Sequence, residues 1–128
     1  YASMLRAMLP GEAAVANPID LLADAREDRF GPAFEAALSH GADTFDAILT
    51  IHVVPFMVDA GPIIDTLSGL AENAGLPCFH SMMGTLEHQS DWFAKMETAG
   101  VPAFNDSESM AETAGILAQY PKLRAALV

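Results

Sequence analysis

Two nearly identical phrases, Ala74-Gly75-Leu76-Pro77-Cys78-Phe79 and Ala99-Gly100-Val101-Pro102-Ala103-Phe104, stand 25 residues apart. In each, a glycine follows a helical apolar pattern, at the place where the residue beyond a helix end takes a left-handed conformation. A proline then opens a short apolar run, a position it tolerates at the start of a strand but not in its middle. Each phrase therefore marks a helix that ends and turns at once into a buried strand. Two such junctions restrict the chain to strands joined by helical crossovers, which means a parallel sheet.

The rest of the apolar spacing agrees. Phe30, Ala33, Phe34, Ala37 and Leu38 follow the i, i+3, i+4 rule, with Asp24 as the expected N-cap and Gly41 as the expected end. Ile63, Ile64, Leu67, Leu70, Ala71 and Ala74 repeat it behind Asp59 and Pro62. Trp92, Phe93 and Met96 form a third stripe, and Met110, Ala114, Leu117 and Ala118 a fourth, begun by Asp106 or Ser107. A separate short turn is expected after Pro121, from Lys122 to Leu127. Strands are expected over Asp46–Val53, Pro77–Met82 and Pro102–Asn105. The first of these is almost continuously apolar, the pattern of a parallel strand covered on both faces. The expected fold is α/β: a flavodoxin-like, three-layer open parallel sheet with helices on both faces. Three strands make a thin sheet, and Met4, Leu5 and Met8 read as the last turn of a helix. The expectation is a fragment of a larger polypeptide, lacking its first strand.

Bulk properties narrow the function. A chain of 128 residues suits a single domain, 1–128. The formal charge of −11 would repel nucleic-acid phosphates and anionic lipid surfaces. No apolar run approaches the roughly 20 residues that span a bilayer. Cys78 is the only cysteine, so a disulfide framework is excluded and a reducing, cytoplasmic compartment is expected. An unpaired sheet edge would invite pairing, so a homodimer through it is a further expectation.

In such a sheet, ligands sit beyond the carboxyl ends of the strands. That rule selects His52 and the loop Val54-Pro55-Phe56-Met57, then Met83 and Gly84, and, leaning against them, the rigid turn Asn17-Pro18-Ile19-Asp20. A helix start behind Pro55–Met57 could hold an anion, although these side chains are bulky. His40 reads as a helix-end residue. His80 and His88 bracket Glu87 at a spacing that matches no zinc motif, so no metal site is expected. Cys78 reads as a small core residue, and Ser81 lacks the elbow of a nucleophilic serine. No catalytic residue emerges. A response-regulator function is disfavoured, because no lysine occupies the late strand ends.

The segments NPIDLLADAREDRFGPAFEAAL, FDAILTIHVVP, LPCFHSMMG and AGVPAFNDSESMAETAGILAQY nevertheless form a set. In order and spacing they resemble the last flavodoxin-like domain of the ADP-forming acyl-CoA synthetases, such as acetate-CoA ligases, relatives of succinyl-CoA synthetase. The resemblance implies a parent that uses ATP/ADP, Mg and CoA through a phosphohistidine in a Ser-His-Thr-Gly motif of a neighbouring domain. No such motif occurs here, so none of the four histidines is carried over. What carries over is position: Val54, Pro55, Phe56 and Met57 match the loop that helps surround the phosphohistidine, without the Gly-Gly pair of the relatives. The resemblance thus implies a non-nucleophilic, site-lining domain without a cofactor of its own. Its partners would be the other domains or subunits of the ligase. The alternative is a free-standing flavodoxin-like module that binds a small anion or a partner protein.

Overall fold

A computed structural model describes residues 1–55, 57–84 and 87–127, at positions 41 and 42 by backbone alone. The elements run α1 (Ala2–Met8), α2 (Glu27–Thr44), β1 (Ile48–Val53), α3 (Gly61–Ala71), β2 (Cys78–Met83), α4 (Gln89–Thr98), β3 (Ala103–Phe104) and α5 (Ser107–Ala126). The strands form one parallel sheet in the order β1-β2-β3. Ile48 stands opposite Cys78 and Val53 opposite Met83, while His80 and Ser81 stand opposite Ala103 and Phe104. The fold is the flavodoxin-like α/β architecture in truncated form.

Both repeated phrases behave as their composition requires. Gly75 and Gly100 have φ of +66° and +76°. Behind Gly100, the Val101 N–H returns to the Met96 carbonyl at 2.9 Å and closes α4. The Ile48 N–H donates to Pro77 O, and the His80 N–H donates to Pro102 O. Each proline, lacking an N–H of its own, thus serves the ladder as an acceptor at the position just before its strand.

The main core lies on one face of the sheet. Cys78 and Met82 of β2 meet Phe34 of α2, Ile63, Ile64 and Leu67 of α3, and Met96 of α4. Each fully buried large side chain contributes about 1.5–3 kcal/mol of transfer free energy. The helix pair α2–α3 approaches closely because Gly31 has no side chain: a Cβ there would stand 3.1 Å from the Thr66 methyl. A smaller core, formed by Leu5, Leu9, Ala13 and Val15 against Ala33 and Ala36, fastens α1 and the following loop to α2. Helix α5 lies against all three strands, and we place it on the opposite face, because α2, α3 and α4 fill the first.

Several boundaries differ from the sequence reading. Asp24 does not cap α2, which starts at Glu27. Its carboxylate is held by Arg29 instead, through bonds of 2.7 and 3.0 Å. That pairing keeps the Asp24 carboxyl below its ordinary range. The helix also runs past Gly41 to Thr44. Pro121 does not start a new turn but lies inside α5. A 20-residue helix is about 30 Å long, against about 20 Å for a six-residue strand, so its second half overruns the sheet. There Pro121 has no N–H for the Leu117 carbonyl, and Leu117 is an exposed residue, where water can serve instead. The largest departure is β1. Leu49, Ile51 and Val53 are 42, 55 and 62% exposed, so the second face of this strand is only partly covered. β2, by contrast, is buried along nearly all of its length.

Candidate functional site

The loop Leu21–Arg26 feeds the start of α2, and Phe30 in that first turn lies 5.1 Å from the His52 ring. The carboxyl end of β1 therefore meets the loop that follows Asn17–Asp20. Beside it, the Val54 N–H donates to Met83 O at 3.0 Å, tying the exits of β1 and β2 together. Gln89 at the start of α4 bonds Asn105 behind β3, joining the next two exits. One rim thus carries Leu21–Arg26, Val54, Pro55 and Met57, Met83 and Gly84, Gln89, and Asn105 with Asp106.

The side chains on this rim differ in what they present. Asp20 Oδ1 accepts from the Leu22 N–H at 2.9 Å, and the Asp20 N–H bonds Ala14 O, so the turn is built as its composition suggests. Asn17 is exposed and has no hydrogen bond among the described residues, and the peptide bond to Pro18 is cis. Gly84 has φ of +134°, a conformation open to glycine and strained for other residues. His52 and Val54 face inward and are buried; Pro55 and Met83 are half-buried. Phe56 lies outside the described residues. Met57 is 90% exposed at φ +59°, an unusual conformation for a residue with a side chain. Leu22 shares it, at φ +71°. Non-glycine residues held this way cluster where a loop presents something.

The helix starts at this rim already carry carboxylates. Asp59 Oδ1 accepts from the Gly61 N–H at 2.8 Å, and Pro62 has no N–H to offer. Asp106 accepts from the Ser109 N–H at 2.7 Å, which holds its carboxyl below the usual range. Glu27 and Asp28 open α2, and Asp91 opens α4. These groups offset the positive helix ends from within the chain, so the rim alone offers little to a phosphate.

Beneath the rim lies an enclosed pair of imidazoles. The rings of His52 and His80 are 5.9 Å apart. His52 is 4% exposed and His80 1%. Neither His80 nitrogen, nor Nδ1 of His52, has a hydrogen-bond partner among the described residues. Burial, reinforced by the Arg26 charge, pushes His52 down to about 4. Burial and the neighbouring His52 push His80 down to about 3. Both are neutral at physiological pH. Burial likewise pushes the Cys78 thiol up to about 11, which leaves it unreactive. Among the described residues no cluster of three or more His, Cys, Asp or Glu could hold a metal ion. No described helix is long and apolar enough to cross a membrane.

A groove of about 700 Å³ runs beside β1. Ile48–Val53 form one wall, Phe30, Ala33, Phe34 and Ala37 of α2 another, and residues 18–23 and 25 a third. The sequence reading places the turn near this strand but does not find the groove. Arg26 is also missed there, although its Nη1 is buried without a hydrogen-bond partner among the described residues. Neither has a local sequence signature, since both arise from how α2 stands over the sheet.

Among solved structures, the chain is similar to PH0766 from Pyrococcus horikoshii OT3, at 24% identity and a TM-score of 0.72. The match covers 86% of this chain and 26% of that one, so the chain spans about a quarter of that protein's length. At this identity the likeness is one of fold. No family model matches the chain, and no curated protein does.

Proposed function

We propose that the chain is a non-nucleophilic domain of an ADP-forming acyl-CoA ligase, walling the active site near a phosphohistidine supplied by a neighbouring domain. The observation that carries this reading is one of placement. Parts of the segments on which the resemblance rests, Leu21 and Leu22, Val54, Pro55 and Met57, Met83-Gly84 and Asn105-Asp106, lie on the rim at the carboxyl ends of three adjacent strands. Met57 stands out from that rim, exposed on strained backbone. A wall is the role that fits these groups. The histidines are buried and neutral, the thiol is enclosed, and the helix starts are occupied by carboxylates. Such a surface shapes a cavity and excludes water, while ATP, Mg, CoA and the nucleophile act from other domains.

The test compares residues 1–128 with the intact polypeptide that contains them. ATP- and CoA-dependent acyl-CoA formation, and a phosphohistidine trapped with radiolabelled ATP, are expected from the intact protein and not from residues 1–128 alone. Met57→Gly in the intact protein should lower turnover without lowering the melting temperature, because glycine relieves the strained φ. An intact protein that forms neither acyl-CoA nor phosphohistidine would sink the reading.

A further inference from the structure

The face of the sheet beneath α2 brings three soft ligand groups together. His52 and Met82 are partners in the β1–β2 register, and His80 stands two residues before Met82, on the same face of β2. His52, His80 and Met82 are 4, 1 and 0% exposed. Three imidazole nitrogens, both of His80 and Nδ1 of His52, are buried there without a hydrogen-bond partner among the described residues. The ring centroids are 5.9 Å apart. A metal–imidazole bond is about 2 Å long and a ring nitrogen lies about 1 Å from its centroid, so one ion can join rings up to about 6 Å apart. The rings cross at 83°, so one must turn about its Cβ–Cγ bond to aim a nitrogen at the shared point. That torsion is broad for histidine, and no hydrogen bond to the three orphaned nitrogens opposes it.

We propose that His52, His80 and Met82 form a binding site for a soft, singly charged metal ion of the copper(I) class. Imidazole and thioether suit such an ion, whereas magnesium, calcium and manganese take carboxylate and carbonyl oxygens. No carboxylate, thiol or third imidazole completes a cluster with the two rings among the described residues, so the third ligand falls to the flexible thioether. The charge on the ion is limited by Arg26, which stands one turn before the Phe30 that packs on His52. Its guanidinium opposes a doubly charged ion twice as strongly as a singly charged one. His52 also borders the groove beside β1, which supplies a way in. The site is independent of the ligase reading, since it lies inside the sheet and not on the rim.

The test titrates Ag(I), a redox-inert stand-in for copper(I), into the 128-residue protein labelled with ¹⁵N at histidine, in chloride-free buffer. One ion is expected to bind and to shift the imidazole nitrogen resonances of His52 and His80, while those of the exposed His40 and His88 stay in place. His52→Leu, His80→Leu and Met82→Leu should each weaken binding by roughly tenfold or more, since removing even a supporting group does so at metal sites. Cys78→Ala should leave binding intact. Two results would overturn the proposal. One is that excess Ag(I) leaves the His52 and His80 resonances unmoved while circular dichroism shows folded protein. The other is binding that Cys78→Ala abolishes or that Met82→Leu leaves unchanged, which would assign the ion to other ligands.

Discussion

Acid should unfold this protein through its two enclosed histidines, at pH values where most carboxylates are still ionised. In the unfolded chain both imidazoles titrate near the ordinary 6.5, whereas in the folded protein they are held at about 4 and about 3. Because the folded values are depressed, the unfolded chain takes up protons first as the pH falls. The stability that neutral burial allows is complete above 6.5, declines below it, and levels off only near 4 for His52 and 3 for His80. By pH 5 the unfolded state has gained about 2 kcal/mol from each ring, or about 4 kcal/mol together. That is a large share of the roughly 5–15 kcal/mol that holds a small domain folded. Urea unfolding followed by circular dichroism from pH 7.5 to 4.5 reads the loss as a falling midpoint. The double variant His52→Leu/His80→Leu should flatten most of that slope, because it removes both titrating groups and leaves apolar volume. Equal slopes in the two proteins, or imidazole resonances of the folded protein titrating near 6.5, would refute the reasoning.

Other expectations follow from particular contacts. Gly75→Ala and Gly100→Ala should each cost about 1–2 kcal/mol in urea unfolding, because the positive φ and not crowding is the obstacle; a Cβ at either site meets nothing within 4 Å. Ile64→Ala, at a fully buried position between α3 and the sheet, should cost about 2–5 kcal/mol. A thiol reagent at pH 8 should label Cys78 slowly in native protein and rapidly in urea, since burial keeps the thiolate scarce. Asp106→Ala should lower the urea midpoint by removing the acceptor of the Ser109 N–H, while Asp106→Ser should restore part of it.

Much of the fold was legible because its signals are local. The two glycine-proline phrases need only a left-handed residue and a missing N–H to mark a helix end and a strand start, and both appear where those constraints place them. Asp106 caps α5 for an equally local reason. Asp24 misled because a carboxylate near a helix start serves either the backbone or a nearby guanidinium, and only the position of Arg29 decides which. Pro121 misled because its cost depends on whether the carbonyl it leaves unbonded meets water.

The candidate site was legible to the level of strand ends and no further. Placing ligands beyond the carboxyl ends of a parallel sheet selects loops, and those loops do share a rim. Whether a side chain there faces outward depends on the pleat and on what covers it. His52 and Val54 point into the core, while Met57, a residue type found most often in interiors, stands in solvent.

The sequence by itself determined the order of helices and strands and the parallel sheet, because apolar period, glycine and proline act over a few residues. It also determined the acidity of the chain, which is a matter of counting. The tertiary structure alone decided that two histidines would share one enclosed space, that carboxylates would occupy the helix starts, and that a groove would open between β1, α2 and the turn before it. Those outcomes depend on distances between residues far apart in the chain, which are fixed only when the helices pack onto the sheet.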